Sequence, residues 1–158
     1  MAGSMWLKID GCEGEANDDG HQKEIDISSW AWGLTHAASS YGGGASGGET
    51  TAQDLIVTKM IDKASPNLLK FCLNAKHFPE ILLTMRKRGE SPIDYVKIKM
   101  KGAMISSVSL SGVADSAGNE SVSIKFDAVE YVYKPQDAEG KAGGDVTTKW
   151  DLKKNKEG

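Results

Sequence analysis

Apolar and polar residues alternate with period two over most of this chain, the mark of strands with one buried face. In "DYVKIKMKGAMISSVSLSGV", Val96, Ile98 and Met100 lie on one side and Lys97, Lys99 and Lys101 on the other. The phase changes near Gly102 and resumes through Val108 and Leu110. A glycine at a phase change predicts a bulge or sharp coiling, as in a strand that serves two sheets or closes a barrel. "ESVSIKFDAVEYVYKP" repeats the device: Val122, Ile124 and Phe126 share a face, whereas Val129, Tyr131 and Tyr133 shift phase around Asp127–Ala128. Pro135 ends that run because it has no N–H for a ladder. Further strands are expected at Trp6–Asp10, Glu24–Thr35, Gln53–Ile61, Ile81–Lys87 and Val146–Leu152. About seven such strands fit a sandwich or a barrel.

One stretch breaks the alternation. In "DKASPNLLKFCLNAKHFP", Leu68, Leu69, Cys72 and Leu73 recur at helical spacing. Ser65 suits the N-cap, Pro66 the first helical position, and Pro79 follows soon after the expected end. A helix over about Pro66–Ala75 is therefore expected, the only sizeable one.

A chain of 158 residues is long enough for one domain with a real core, here 1–158, and short for two. A net charge of −3, with no strong clustering of Lys and Arg, argues against a nucleic-acid partner held by phosphate neutralisation. Lys153, Lys154 and Lys156 read as a solvated tail. "MAGSMWLKIDGCEGE" has neither the basic start nor the apolar run of a secretory signal, and no stretch approaches a membrane span. The chain is thus expected in the cytoplasm, with no membrane insertion. Cys12 and Cys72 fit no metal spacing and read as reduced thiols.

"GGGASGGET" imitates a nucleotide loop. Gly42, Gly44 and Gly47 match G-x-G-x-x-G, and Gly43, Gly48 and Thr50 match a phosphate loop except that Glu49 replaces the lysine. Both motifs need a helix opening directly after the glycines, because its free amides hold the phosphate. Here the strand-like "TAQDLIVTKMI" follows, so no nucleotide is expected. His21, His36 and His77 lie in separate segments, and "NDDGHQKEID" lacks the alternate acids of a calcium loop. No G-x-S-x-G elbow is present. Glu24, Asp26, Asp54 and Asp62 could supply a carboxylate pair, though nothing marks them above surface charges. Trp30 and Trp32 share one face, either as core aromatics or as a sugar-stacking platform of a carbohydrate-binding β-sandwich.

Taken together, "WLKIDGCEGE", "HQKEIDISSWAWG", "QDLIVTKMIDKASPNLLKFC", "YVKIKMKGAMISSVSLSG" and "VEYVYKPQDAEGKAGG" with "KWDLKKN" resemble the Hcp family, which forms the tube of bacterial type VI secretion systems. The motifs His21–Glu24–Ile25–Asp26, Trp30-x-Trp32-Gly33 and Asp62–Lys63-x-Ser65–Pro66 carry it, and it covers essentially the whole chain. The resemblance implies a mainly β fold, two packed antiparallel sheets closing into a small barrel, with the helix flanking it. It implies a homohexameric ring that stacks into a tube, with spike and sheath proteins as partners, export through that apparatus without a signal peptide, and no enzymatic role or cofactor. A chain stopping at Gly158 leaves no room for the toxin domain of some members.

Such rings also hold small effectors in their lumen. The resemblance then places Ser29 and Ala31 toward the lumen, with Trp30 and Trp32 buried behind them. Ile25 and Ile27 share the lumen parity, so the assignment is unclean at the strand's start. The long connection with Tyr41, Gly42, Gly43, Gly44, Gly47, Gly48 and Glu49 would reach the neighbouring subunit or the next ring.

Overall fold

A computed structural model describes residues 3–37, 50–89 and 91–158. The glycine-rich stretch, with Tyr41, Gly42, Gly43, Gly44, Gly47, Gly48 and Glu49, lies outside the described residues. The strands are β1 (Gly3–Ile9), β2 (Ile25–Asp26), β3 (Ser29–Ala31), β4 (Leu34–His36), β5 (Thr50–Ala52), β6 (Leu55–Met60), β7 (His77–Lys87), β8 (Ile93–Ser111), β9 (Asn119–Lys125), β10 (Ala128–Tyr133), β11 (Val146–Asp151) and β12 (Lys156–Glu157). The helix α1 spans Ser65–Leu73.

Two antiparallel sheets result: a branched one of ten strands, and the two-stranded ladder of β4 and β5. The branch lies in β8, a strand of 19 residues. Its first half pairs β7 on one side and β10 on the other, and its second half pairs β9. One limb therefore runs β12-β11-β10-β8-β7-β1-β2, and the other β8-β9-β6-β3. The two packed sheets read from the sequence are two limbs of one sheet. Among the described residues no continuous ladder closes it into a barrel. Residues 25–31 bridge the limbs: β2 pairs β1, Ile27 N donates to Met5 O at 3.1 Å, Ser28 N donates to Thr58 O at 2.8 Å, and β3 pairs β6.

Gly102 sits where the phase change predicted it, with φ of +60°, a conformation that costs other residues roughly 1–2 kcal/mol. A Cβ there would meet Asp127 Oδ2 at 2.7 Å, so the close approach also requires glycine. Buried positions accordingly move from Val96, Ile98 and Met100 to Ala103 and Ile105. The break around Asp127 is equally real: it separates β9 from β10, which pair different halves of β8.

Three boundaries differ from the expectation. The single strand Glu24–Thr35 is three pieces, because its parts serve β1, β6 and β5 in turn. The strand expected from Ile81 begins at His77 and includes Pro79, which falls opposite Gly102 between the pairs Phe78–Ala103 and Glu80–Lys101, where the ladder omits one pair without a shift of register and so accommodates a residue without an N–H. The helix is shorter than Pro66–Ala75, and Ala64 rather than Ser65 holds its N-cap position. Asp62 Oδ1 accepts the Ala64 N–H at 2.9 Å, while the Ser65 hydroxyl donates to Glu120 Oε1 at 2.6 Å. At the other end Ala75 adopts φ of +50°, and Lys76 N reaches back to Phe71 O at 3.2 Å, which closes the last turn.

The core lies between the limbs. Leu7, Ile25, Leu55, Val57, Leu83, Ile98, Met100 and Ile124 are fully buried there. The helix joins it through Leu68 and Phe71, whose ring meets Phe78 edge-on at 5.0 Å.

Candidate functional site

Cross-strand register arranges the outward residues of the β3-β6-β9-β8 limb in rows. One row is Ser29–Thr58–Ser121–Ser109, the next Ala31–Ile56–Ser123–Ser107, and a third Met60–Asn119–Ser111. No ionisable side chain occurs in these three rows, but the next outward position of β9 after Ser123 is the exposed Lys125, and Asp54 stands two residues before Ile56. Ser29, Ala31, Ile56, Met60, Ser107, Ser109, Ser111 and Asn119 are exposed, and Thr58, Ser121 and Ser123 half-buried. Among the described residues no side-chain hydrogen bond engages these hydroxyls, which keep donors and acceptors for an incoming surface. The other limb differs sharply, with rows such as Leu82–Lys99–Glu130–Lys149 and Glu80–Lys101. One strand, β8, thus contributes lysines to one face and serines to the other.

Ser29 and Ala31 both lie on the uncharged face. Ile25 and Ile27, which share their parity in sequence, are in the core instead. Ser28 and Ser29 are consecutive exposed residues, so the parity flips between the β2 and β3 pairings. The sequence missed the rest of the face, although S-x-S alternation opposite apolar residues in both β8 and β9 is its visible signal.

A buried ionic cluster lies beneath. Lys59 and Glu120 are a cross-strand pair on the core side of β6 and β9, both essentially without exposure. Lys59 Nζ donates to Glu120 Oε1, to Asp62 Oδ1 at 2.8 Å, to Met60 O at 2.9 Å and to Ser65 Oγ at 3.3 Å. Glu120 Oε2 has no partner. The cluster pins the start of α1 to the sheet. Burial, reinforced by Asp62, pushes the neighbouring Cys12 thiol up to about 11, so it stays a protonated, inert thiol at neutral pH.

A second cluster staples the loop between β1 and β2. His21 stacks on Trp6 at 4.1 Å and bridges Glu24 and Asp94 through its two ring nitrogens, at 2.8 and 2.9 Å. Arg86 bonds Asp94 at 2.7 Å and grips both oxygens of Asp18 at 2.8 Å. Burial disfavours an ionised Asp94, but hydrogen bonds from Arg86 and His21 outweigh it and hold the carboxyl below its ordinary range. Asp18 is also lowered, first by the Gly20 N–H and then by Arg86.

The remaining sequence candidates scatter. Glu24 serves His21, Asp54 accepts from Ser106 at 2.6 Å, and Asp62 holds Lys59, so these carboxylates answer to different partners. Asp26 is raised, mainly by burial and then by Asp62. His36 bonds Thr50 across the β4–β5 ladder, and His77 is exposed at the start of β7. Among the described residues no group of His, Cys, Asp and Glu could hold a metal ion, and no helix is long and apolar enough to cross a membrane. Trp30 and Trp32 are half-buried against the core, with Trp30 Nε1 donating to Met85 Sδ at 3.0 Å and Trp32 Nε1 to Gln53 O at 2.8 Å. Their polar edges are engaged internally, which leaves a poor sugar platform. Trp32 also borders an apolar groove with Leu34, Val129, Tyr131, Trp150 and Leu152.

Residues 6–133 match the family model described as type VI secretion system effector, Hcp. The protein hcp1 of Pseudomonas aeruginosa is 40% identical over 159 residues, covering 98% of each chain. A solved structure described as a type six secretion system protein superimposes with a TM-score of 0.92 at 29% identity, over 99% of this chain and 100% of that one. Hcp1 of Salmonella typhimurium gives a TM-score of 0.79 at 36% identity, over 99% of both chains.

Proposed function

The chain belongs to the Hcp family of type VI secretion proteins, and on that premise we propose that it is the ring and tube subunit of such a system and carries small effectors on the β3-β6-β9-β8 face. The observation that carries this reading is the face itself: three registered rows of small polar and apolar side chains with no ionisable group, backed by an apolar layer into which the buried Lys59–Glu120 pair is set. A lumen must stay wetted and smooth while its reverse side holds the wall together. In that arrangement the two limbs, bridged by residues 25–31, form the wall of a small barrel, and Ser29 and Ala31 look into the pore.

Ring formation needs an exposed patch that meets a different patch on the next copy, repeated until the ring closes. The apolar groove beside Trp32 supports this, since monomers seldom leave such a surface open to water. The segment with Tyr41, Gly42, Gly43, Gly44, Gly47, Gly48 and Glu49 would make the contact to the neighbouring subunit or the next ring, and spike and sheath proteins would complete the assembly. A formal charge near −18 for six copies favours solubility of the free ring.

Light scattering with electron microscopy tests the assembly. Six-fold rings are expected, and a monomer at high concentration would refute it. For the carrier role, Ala31→Arg is expected to leave rings intact and to deplete the small proteins that co-purify from the native host. Unchanged cargo levels would remove Ala31 from the lumen.

A further inference from the structure

We propose that the outward side of the β1-β7-β8-β10-β11 limb is a docking surface for an acidic helix of a partner protein, held by Lys97, Lys99 and Lys101 along β8. The proposal rests on the ring-and-tube reading above, in which the other limb lines the pore and this one forms the outer wall, so that the partner lies around the tube. Register sets out the face. Lys97 lies between Thr84 and Val132, Lys99 between Leu82 and Glu130, and Lys101 between Glu80 and Ala128. Lys8 extends the Leu82 row at one end, and Lys149 extends the Glu130 row at the other. Lys8, Lys101 and Lys149 are exposed, and Lys97 and Lys99 half-buried.

The fold itself does not call for these lysines. Lysine is depleted in strands, and like charges two residues apart on one face repel. Its usual task in a strand is to guard an open edge, but this half of β8 is paired on both sides and has no edge to guard. Internal ion pairs do not account for them either. Among the described residues no ion pair or hydrogen bond engages the ammonium of Lys8, Lys97, Lys99, Lys101 or Lys149, although Glu130 stands beside two of them in register. These five lysines outnumber the three carboxylates of the face, Glu80, Glu130 and Asp151, in a chain whose net charge is −3. The positive excess is therefore local, and it fits this face to a negatively charged partner.

The pattern identifies the kind of partner. Alternate residues of a strand recur every ~6.6 Å, and every fourth residue of a helix recurs after ~6 Å, so one acidic stripe can follow all three β8 lysines. Leu82 and Val132, half-buried beside Lys99 and Lys97, give such a helix an apolar footing between the charges. A nucleic acid fits less well, because its evenly spaced phosphates would also press on Glu80, Glu130 and Asp151.

The test uses the full chain, in the assembly that light scattering finds, and a fluorescent helical peptide of Ala and Leu with Glu at every fourth position. A second peptide carries Lys in place of Glu, and a short DNA duplex serves as the polyanion. Anisotropy should show binding of the acidic peptide, falling more than about tenfold as the Debye length drops from about 30 Å to about 3 Å. Lys99→Gln should weaken it about two- to fivefold, and Lys97→Gln, Lys99→Gln and Lys101→Gln together at least about tenfold. Lys153→Gln with Lys154→Gln, which removes charge from the tail instead, should change it little. Binding of the basic peptide, DNA binding as tight as that of the acidic peptide, indifference to salt or to the triple variant, an equal loss from the tail variant, or no binding at all would each overturn the proposal. Ring formation is read separately: a wild-type monomer that binds the acidic peptide refutes the ring and keeps the docking face, and rings that ignore the peptide do the reverse. Circular dichroism and ring counts on the triple variant exclude unfolding as the cause.

Discussion

Replacing Lys59 with methionine removes the charge at the centre of the buried cluster while keeping the length and volume of the stem. Lys59 is fully buried already, so the methionine gains almost no apolar burial that the lysine methylenes lacked. What changes is polar. Glu120 loses its only charged donor and keeps the Ser65 hydroxyl, while its Oε2 was unpartnered from the start. Asp62 keeps the Ala64 N–H but loses the ammonium. Breaking one side of a buried ion pair costs about 3–5 kcal/mol, because the remaining charge stays in a medium that cannot solvate it. For a domain of this size each kcal/mol lowers Tm by roughly 2–4 °C, so a drop on the order of 10 °C is expected. Urea unfolding followed by tryptophan fluorescence and circular dichroism, at one fixed subunit concentration, reads the change without a shift from assembly. Adding Glu120→Leu to Lys59→Met should restore stability to within about 1 kcal/mol of the parent, since the pair is then replaced by apolar groups. A loss below about 1 kcal/mol for Lys59→Met, or a double variant worse than the single one, would refute the reasoning.

Gly102→Ala should cost about 2–3 kcal/mol, part from the left-handed backbone and part from contact with Asp127, and Asp127→Ala in the same chain should recover only the contact part, read by the same urea titration. Acid should loosen the loop between β1 and β2. Asp94 and Asp18 ionise more readily folded than unfolded, so their contribution is present above the unfolded value near 4 and disappears as pH falls through their lower folded values. Asp26, raised by burial, works in the opposite sense and favours the fold while protonated. Asp94→Asn is therefore expected to flatten the decline in stability below about pH 4, seen by fluorescence of Trp6 and its neighbours, and an unchanged acid limb would contradict this.

What the sequence disclosed is what local periodicity can carry. The alternation in β8 and its reversal at Gly102 were legible because both the pattern and the glycine are adjacent in the chain. The break at Asp127 was legible for the same reason. Partners far apart in sequence were not. Ser65 looked like a helix cap because nothing local reveals Glu120, 55 residues on, as the acceptor of its hydroxyl. His21 looked isolated because Asp94 is 73 residues away. The parity flip after Ile27 depends on which strand each half of the segment pairs with, and that is a property of the assembled sheet. Ser29 and Ala31 were placed on one face by alternation, but Ile56, Ser107, Ser109, Ser121 and Ser123 join them only through register.

Because β8 bonds to β7, β10 and β9 in succession, neither limb can peel away without baring part of the same strand. The subunit has no internal parting line. Opening of either limb must approach global unfolding, so amides along β8 should exchange with solvent together and last. A push delivered to the lysine-bearing limb reaches the serine face along covalent backbone through Gly102, as through a beam running between two walls, without relying on side chains to pass it on.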